Sequence, residues 1–308
     1  MKVAFVFPGQ GSQAVGMLDA WADVAAVKQA IDEASTAINQ DLQQLIAQGP
    51  AEQLNLTTNT QPVMLAASYA MYQAWLAAGG RQPDMVAGHS LGEYTALTAA
   101  GSISLADAVR LVRIRADAMQ QAVPVGTGSM AAVLGLDDDT VRKVCAEAAQ
   151  GEVVEAVNFN APAQVVIAGH KGAVDRACGL AKQAGAKRAL VLPVSAPFHS
   201  SLLQPAAEVL AQALADIDLQ APAIPVINNV DVAMIDEPAG IKDALVRQAW
   251  HAVRWVETIQ LMQQEGITHI VECGPGKVLS GLVKRIAPEM TALAINDPAS
   301  LESVKSQL

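Results

Sequence analysis

A serine between two glycines, Gly88-His89-Ser90-Leu91-Gly92, carries the clearest chemistry in this 308-residue chain. It follows an apolar run, Met85-Val86-Ala87, and precedes Glu93 to Ala100, which reads as a helix closed by Gly101. Strand, Gly-x-Ser-x-Gly and helix in succession make a nucleophile elbow. Such a turn is too tight for side chains on either side of the serine, and Gly88 and Gly92 remove them and tolerate strained backbone angles. Ser90 Oγ is then held at the tip of the bend, and the Leu91 amide points the same way and can donate to a developing oxyanion. The chemistry this predicts is acyl transfer through a serine ester. An ordinary glycine-flanked turn would carry the same five residues, so the flanking elements and further motifs have to support the reading.

A serine nucleophile needs a base, and five histidines are available. His89 is next to Ser90 in the elbow, where adjacent side chains diverge. His170 follows a strand, His269 opens one, and His251 lies in a polar connection. His199, in Ser195-Ala196-Pro197-Phe198-His199-Ser200, stands in a loop and is the leading candidate. On residue type alone it is as readily a surface histidine.

The elements that position these groups follow from periodicity. Lys2 to Phe7 is a short buried strand, and Pro8-Gly9-Gln10-Gly11-Ser12-Gln13 a glycine-rich loop after it. That loop has neither Gly-x-Gly-x-x-Gly nor Gly-Lys-Ser/Thr, so nucleotide binding is disfavoured. A loop that brings a backbone amide near Ser90 suits it better. Helices are expected over Asp19–Ala37, Leu42–Gln48, Pro62–Ala78 and Leu105–Ala122, the last with Leu105, Ala108, Val109, Val112, Ala116 and Met119 on its apolar side. Arg110 and Arg113 on that helix are expected to be solvated.

At Pro124-Val125-Gly126-Thr127-Gly128 the rhythm changes. Strands over Ser129–Leu136, Val153–Asn158, Gln164–Gly169 and Arg188–Val191, with helices over Thr140–Ala149 and Ala173–Lys182, give the ferredoxin-like order. The chain then returns to a helix over Leu203–Ala215 and strands near Pro225–Asn228, His269–Glu272 and Thr291–Ile295. The expected fold is α/β: a parallel-sheet, α/β-hydrolase-like large subdomain (1–124 and 195–308) with an inserted ferredoxin-like small subdomain (125–194).

Composition narrows the function class. Hydrophobic residues make up 52% and charged residues 16%, which provides a large core and argues against disorder. A net charge of −10 argues against nucleic acid as the main partner. Cys145, Cys178 and Cys273 form neither a disulfide framework nor a metal-ligand spacing. Val63–Ala78 is alanine-rich and interrupted by Ser68, Tyr69 and Gln73, so it reads as a buried helix and not as a membrane span. A first strand beginning at Lys2 leaves no room for a signal peptide, and a cytoplasmic setting is expected.

Four motifs then occur in order: Phe7-Pro8-Gly9-Gln10-Gly11-Ser12-Gln13, Gly88-His89-Ser90-Leu91-Gly92-Glu93-Tyr94, Ala196-Pro197-Phe198-His199-Ser200 and Glu272-Cys273-Gly274-Pro275-Gly276. With them the chain resembles, over essentially its whole length, the malonyl-CoA:acyl carrier protein transacylases of bacterial fatty acid synthesis, relatives of polyketide-synthase acyltransferase domains. The resemblance implies Ser90 as the acylated nucleophile and His199 as its base. It implies the Gln248 backbone carbonyl as the group that orients the imidazole, and the Gln10 and Leu91 amides as oxyanion donors. It implies Arg115 as the ligand of the malonyl carboxylate, Phe198 as a mark of malonyl selection and Asn160 as a residue facing the site. The substrates implied are malonyl-CoA and acyl carrier protein, with no metal or redox cofactor. A serine hydrolase with the same nucleophile is the chief rival, and the same transfer could serve polyketide assembly or malonate decarboxylation. Because carrier proteins are acidic, a cationic docking surface is expected, with Lys277, Lys284, Arg285, Lys187 and Arg188 as candidates.

Overall fold

Nine strands form two sheets that share no strand in a computed structural model describing residues 1–308. They are β1 (Val3–Phe7), β2 (Met85–Gly88), β3 (Gly128–Leu134), β4 (Val154–Ala161), β5 (Gln164–His170), β6 (Arg188–Val191), β7 (Val226–Ile227), β8 (His269–Cys273) and β9 (Thr291–Ile295). The first sheet has the order β7-β2-β1-β8-β9 and is parallel throughout. The second has the order β4-β5-β3-β6 and is antiparallel throughout, the ferredoxin-like arrangement expected.

β1 shows why the large sheet is covered on both faces. All five of its residues are buried. Val3, Phe5 and Phe7 join an apolar cluster of 59 residues on one face, and Ala4 and Val6 join a cluster of 17 on the other. This is the period-two alternation of a strand between two helical layers. On the first face the helix Thr57–Ala77 presents Tyr72 edge-on to Phe5 and Phe7, with ring centroids 5.8 and 5.9 Å apart. On the second face lie the helices Trp255–Gln264 and Val278–Ile286.

The helix Thr57–Ala77 begins five residues ahead of the start expected at Pro62. Proline marks a first helical turn because it lacks an amide proton. Here an extra turn precedes it, at the cost of the bond the Thr58 carbonyl would have accepted. That turn carries Thr57 and Gln61 into the site. The helix expected over Asp19–Ala37 is two elements, a short 3₁₀ turn Asp19–Trp21 and a helix Ala25–Ile38.

The antiparallel sheet has a core of its own. Val141, Val144, Cys145 and Ala148 from the helix Asp138–Ala149, and Ala173, Val174, Ala177, Cys178 and Ala181 from the helix Lys171–Gln183, pack on one face of it. Its β4 also touches the larger part through a parallel bridge between Asn158 and Val253. Register shifts in β4 fall between Ala156 and Asn158, just before Asn158, and between Phe159 and Ala161, at Asn160, and bulges of this kind re-aim side chains beside active sites.

Candidate active site

The elbow is where the sequence places it: β2 ends at Gly88 and the helix Gly92–Ala99 starts two residues beyond Ser90. A Cβ on Gly88 would stand 1.8 Å from the Gly92 carbonyl carbon, and one on Gly92 2.1 Å from the Phe7 oxygen. Both glycines are therefore required by close approach. The left-handed backbone falls on Ser90 itself, with φ 52°. Such strain costs about 1–3 kcal/mol and persists only where the surroundings hold it. The Ser90 amide donates to Asn229 Oδ1 at 2.8 Å, and its carbonyl accepts from Gln248 Nε2 at 2.9 Å.

His199 approaches from the loop after β6. Its Nε2 is 2.7 Å from Ser90 Oγ, and its Nδ1 is 2.8 Å from the Gln248 carbonyl oxygen. A carbonyl only accepts, so Nδ1 carries the proton and Nε2 is free to accept from Ser90. Gln248 is the last residue of the helix Pro238–Gln248, whose final carbonyls have no partner within the helix. The negative end of that helix favours the imidazolium once it forms. Burial, then the positive charge of Arg115, lower the His199 pKa to about 3, so the imidazole is neutral at pH 7. His199 too is left-handed, with φ 65°.

The loop after β1 closes over the elbow. A Cβ on Gly9 would meet the His89 carbonyl oxygen at 2.7 Å and the Leu91 amide nitrogen at 3.8 Å. Gln10 and Leu91 both line the cavity beside Ser90, and the main-chain amide of neither donates to a protein acceptor. Leu91 also stands at the positive end of the helix Gly92–Ala99, which favours developing negative charge.

Arg115 is 2% exposed on the helix Leu105–Ala122. Its Nη1 donates to Gln61 Oε1 at 2.6 Å, and its Nη2 to Gln248 Oε1 at 2.9 Å and to Ser90 Oγ at 3.2 Å. The guanidinium lies 5.3 Å from the centre of the Tyr94 ring. Burial pulls its pKa below the usual arginine value, and the nearby Tyr94 and Glu93 oppose that shift. Glu93 is itself buried, and desolvation raises its pKa to about 7 against the hydrogen bonds it accepts. Arg110 is exposed as expected, whereas Arg113 is half-buried and donates to Gln40.

These groups meet in a cavity of about 140 Å³. Its apolar wall is Met130, Val166, Leu192, Val194 and Phe198, and Asn158 adds a buried Oδ1 with no partner. Asn160 is not part of that wall. Its Oδ1 is 2.7 Å from Nε2 of His89, whose ring also packs at 5.4 Å from Trp255. His89 is thereby engaged by Asn160, while Ser90 Oγ pairs with His199. Sequence reasoning missed Gln61, Asn158 and Asn229, amide side chains that residue type does not single out. Lys187, Arg188, Lys277, Lys284 and Arg285 are all exposed, and Arg285 ties the two parts together through the Pro162 carbonyl and Gln164.

Comparison with known proteins agrees with this geometry. The acyl transferase domain family matches residues 4–293. The malonyl CoA-acyl carrier protein transacylase of Salmonella typhimurium is 54% identical over 307 residues, 99% of both chains. The acyl-carrier-protein S-malonyltransferase of Burkholderia pseudomallei superposes with a TM-score of 0.98 at 66% identity, over 99% of this chain and 100% of that one. A malonyl-transacylase solved in complex with a type II PKS acyl-carrier protein gives a TM-score of 0.99 at 49% identity over the full length of both. With a serine elbow, a paired histidine and a buried arginine in one cavity, and relatives matched from end to end, the chain belongs to the malonyl-CoA:acyl carrier protein transacylase family.

Proposed function

We propose that this protein transfers the malonyl group of malonyl-CoA to the phosphopantetheine thiol of acyl carrier protein through a malonyl-Ser90 ester, supplying fatty acid elongation. The observation that carries this reading is the placement of a buried guanidinium 3.2 Å from a serine hydroxyl that is itself 2.7 Å from a neutral imidazole. A nucleophile and a carboxylate receptor separated by so little suit a short acyl group with a charged end.

The steps follow from the donors and acceptors. His199 Nε2 takes the Ser90 proton as Oγ attacks the thioester carbon, and the Gln248 carbonyl holds the imidazolium through Nδ1–H. The amides of Gln10 and Leu91 receive the tetrahedral oxyanion. The coenzyme A thiolate leaves, taking the proton from His199. The carrier thiol then gives its proton to His199, attacks the ester and regenerates Ser90. Gln61 takes one Nη1 proton of Arg115 and Gln248 one Nη2 proton; the second Nη1 proton is free, and the second Nη2 proton, which rests on Ser90 Oγ, turns to the malonyl carboxylate once Oγ is acylated, giving a bidentate pair. Phe198 closes the wall beside His199 and limits the bulk at the malonyl methylene. Asn160 acts one step removed, by fixing His89.

We further assign residues 125–194 as the inserted subdomain and 1–124 with 195–308 as the catalytic one, supported by the separate sheets and cores. No helix is long and apolar enough to cross a membrane. A cytoplasmic setting is our reading, and three buried, unpaired cysteines suit it. The test is incubation with malonyl-CoA, with and without phosphopantetheinylated carrier. One equivalent of coenzyme A per enzyme without carrier, and turnover only with it, is expected. Steady release of coenzyme A and malonate without carrier would make the protein a hydrolase.

A further inference from the structure

Behind the elbow, on the side away from the cavity, Ser90 is held by two side chains from distant segments. Asn229 follows β7; its Oδ1 accepts from the Ser90 amide, and its Nδ2 donates to the Gly88 carbonyl at 2.7 Å. Gln248 ends the helix Pro238–Gln248; its Nε2 donates to the Ser90 carbonyl, while its Oε1 accepts from Arg115. Both converge on one atom. Glu93 Oε2 accepts from the Asn229 main-chain N–H at 2.9 Å and from Gln248 Nε2 at 3.0 Å. Glu93 is 2% exposed and comes from the first turn of the elbow's own helix.

We infer that Glu93 is a positioning residue for the transfer reaction: one carboxylate oxygen locks Asn229 and Gln248 in place, and these two hold the strained main chain of Ser90 on its amide and carbonyl sides. The inference rests on the acyltransferase reading above. A left-handed serine needs its surroundings to fix it, and the main chain here has one side-chain partner on each side. Glu93 fixes the two partners in different ways: its Oε2 accepts from the main-chain N–H of Asn229, which sets the backbone that carries the Asn229 side chain, and from Nε2 of the Gln248 side chain itself. The same oxygen therefore anchors both at once. A buried acid used only as filler would be the costlier choice, because an apolar side chain of similar volume needs no desolvation. What an apolar residue lacks is one acceptor that takes two donors.

The claim concerns where an oxygen sits, and two conservative variants separate that from charge. Glu93→Gln keeps an oxygen at the same reach and loses the charge. Glu93→Asp keeps the charge and draws the oxygen back by one methylene. Single-turnover acylation by malonyl-CoA, followed by intact mass, gives the rate and its half-saturating concentration, and a thermal melt reports folding. Glu93→Gln should acylate within about threefold of wild type. Glu93→Asp and Glu93→Ala should be slower by about 30-fold or more, on the scale of a 1 Å misplacement of the reacting group, with half-saturation moved by no more than about threefold. The downfield Nδ1–H proton resonance of His199 should shift in the Asp variant and hold in the Gln variant, since Gln248 supplies its acceptor. If Glu93→Ala does not fold, the Gln and Asp pair decides alone. A Glu93→Asp enzyme that melts lower but acylates at the wild-type rate would reduce Glu93 to a structural role. A slow Glu93→Gln enzyme beside a Glu93→Asp enzyme near the wild-type rate would put the charge, not the oxygen's position, in command and overturn the inference. Failure of the wild-type chain to acylate would overturn the function assigned to it and leave the hydrogen-bond geometry standing.

Discussion

The two sheets contribute to one cavity in different currencies. From the part built on the parallel sheet come the polar groups to which we assign the reaction: the Gln10 loop after β1, Ser90 and Leu91 after β2, Arg115, and Gln248 at the end of its helix. His199 arrives just after the chain has left the antiparallel sheet. From the strands of that second sheet come Met130, Val166 and a single amide, Asn158. Loops at the carboxyl ends of parallel strands converge on a crevice, where a helix N-terminus and a helix C-terminus can face the same atoms. An antiparallel sheet offers no such convergence of helix ends, but it supplies a flat apolar surface that closes the crevice against water. The chemistry belongs to the first architecture and the shape of the cavity to the second.

If that division holds, the largest losses lie in the parallel-sheet part. Ser90→Ala should eliminate the malonyl-enzyme adduct seen by intact mass in wild type, and an adduct on the variant would place the nucleophile elsewhere. His199→Ala should slow acylation by about 10²-fold or more, the usual scale for a general base. Its pH behaviour is a second check. With the pKa lowered to about 3 by burial and Arg115, the imidazole stays a competent base well below its ordinary range, so acylation should be nearly flat from pH 7 to pH 5. The same shift makes the native state take up its proton later than the unfolded chain does. His199 therefore costs stability as pH falls below about 6.5. A sharp acid limb near pH 6.5 would contradict a buried, neutral histidine.

Arg115→Ala tests the other half of the reacting geometry. A bidentate pair with a carboxylate in a largely buried site exceeds the ~1 kcal/mol of an exposed pair, and each 1.4 kcal/mol is about tenfold. The variant should lose about 10²-fold or more in kcat/KM for malonyl-CoA while slow acetyl transfer persists, because Ser90 and His199 remain. Arg115→Lys should recover only part of the loss, since an ammonium lacks the planar fork. Unchanged preference for malonyl over acetyl would make the arginine purely structural.

How much of this was legible in the sequence depended on whether the signal was local. The elbow was legible because strand, turn and helix are contiguous, and the ferredoxin-like insertion because its strands and helices alternate at short range. Arg115 left a trace, since it lies between Val112 and Met119 on the apolar stripe of its helix and the structure buries it there. Reading it as the carboxylate ligand still needed the family resemblance. Gln61, Glu93, Asn229 and Gln248 left less. Glu93 is 155 residues from Gln248 and 136 from the Asn229 amide it accepts, and nothing in residue type announces such pairings. The strain was misassigned for a related reason: glycines imply freedom of φ, but here they are needed for the close passage of Phe7 and Gly92, and φ is strained at Ser90.

Met130→Ala probes the wall. Truncating a buried methionine costs about 2–5 kcal/mol of stability, so the melting temperature should fall. Acylation by malonyl-CoA should stay within about tenfold, because one apolar contact discriminates weakly, while longer acyl groups gain relative to malonyl. A loss on the scale of Arg115→Ala would mean that the antiparallel sheet takes part in the chemistry, and the division drawn above would fail.

The smallest effect expected lies at the surface, where the two parts compete to receive the carrier. A chain of net charge −10 repels an acidic partner at long range, so docking requires local positive charge. Lys284 lies on the helix Val278–Ile286 of the larger part, and Lys187 and Arg188 lie at the start of the edge strand β6. Arg285 is a poor probe, because its contacts with the Pro162 carbonyl and Gln164 join the parts and its reversal would disturb both. Lys284 forms no salt bridge within the chain and can be reversed without breaking one. An exposed pair contributes about 0.2–1 kcal/mol, so Lys284→Glu should raise KM for the carrier by roughly three- to tenfold, counting lost attraction and added repulsion. The difference should shrink as salt is raised, and KM for malonyl-CoA should stay put. A larger effect from Lys187→Glu than from Lys284→Glu would move the docking face to the inserted sheet. That sheet would then shape the cavity and also choose which protein delivers a thiol to it.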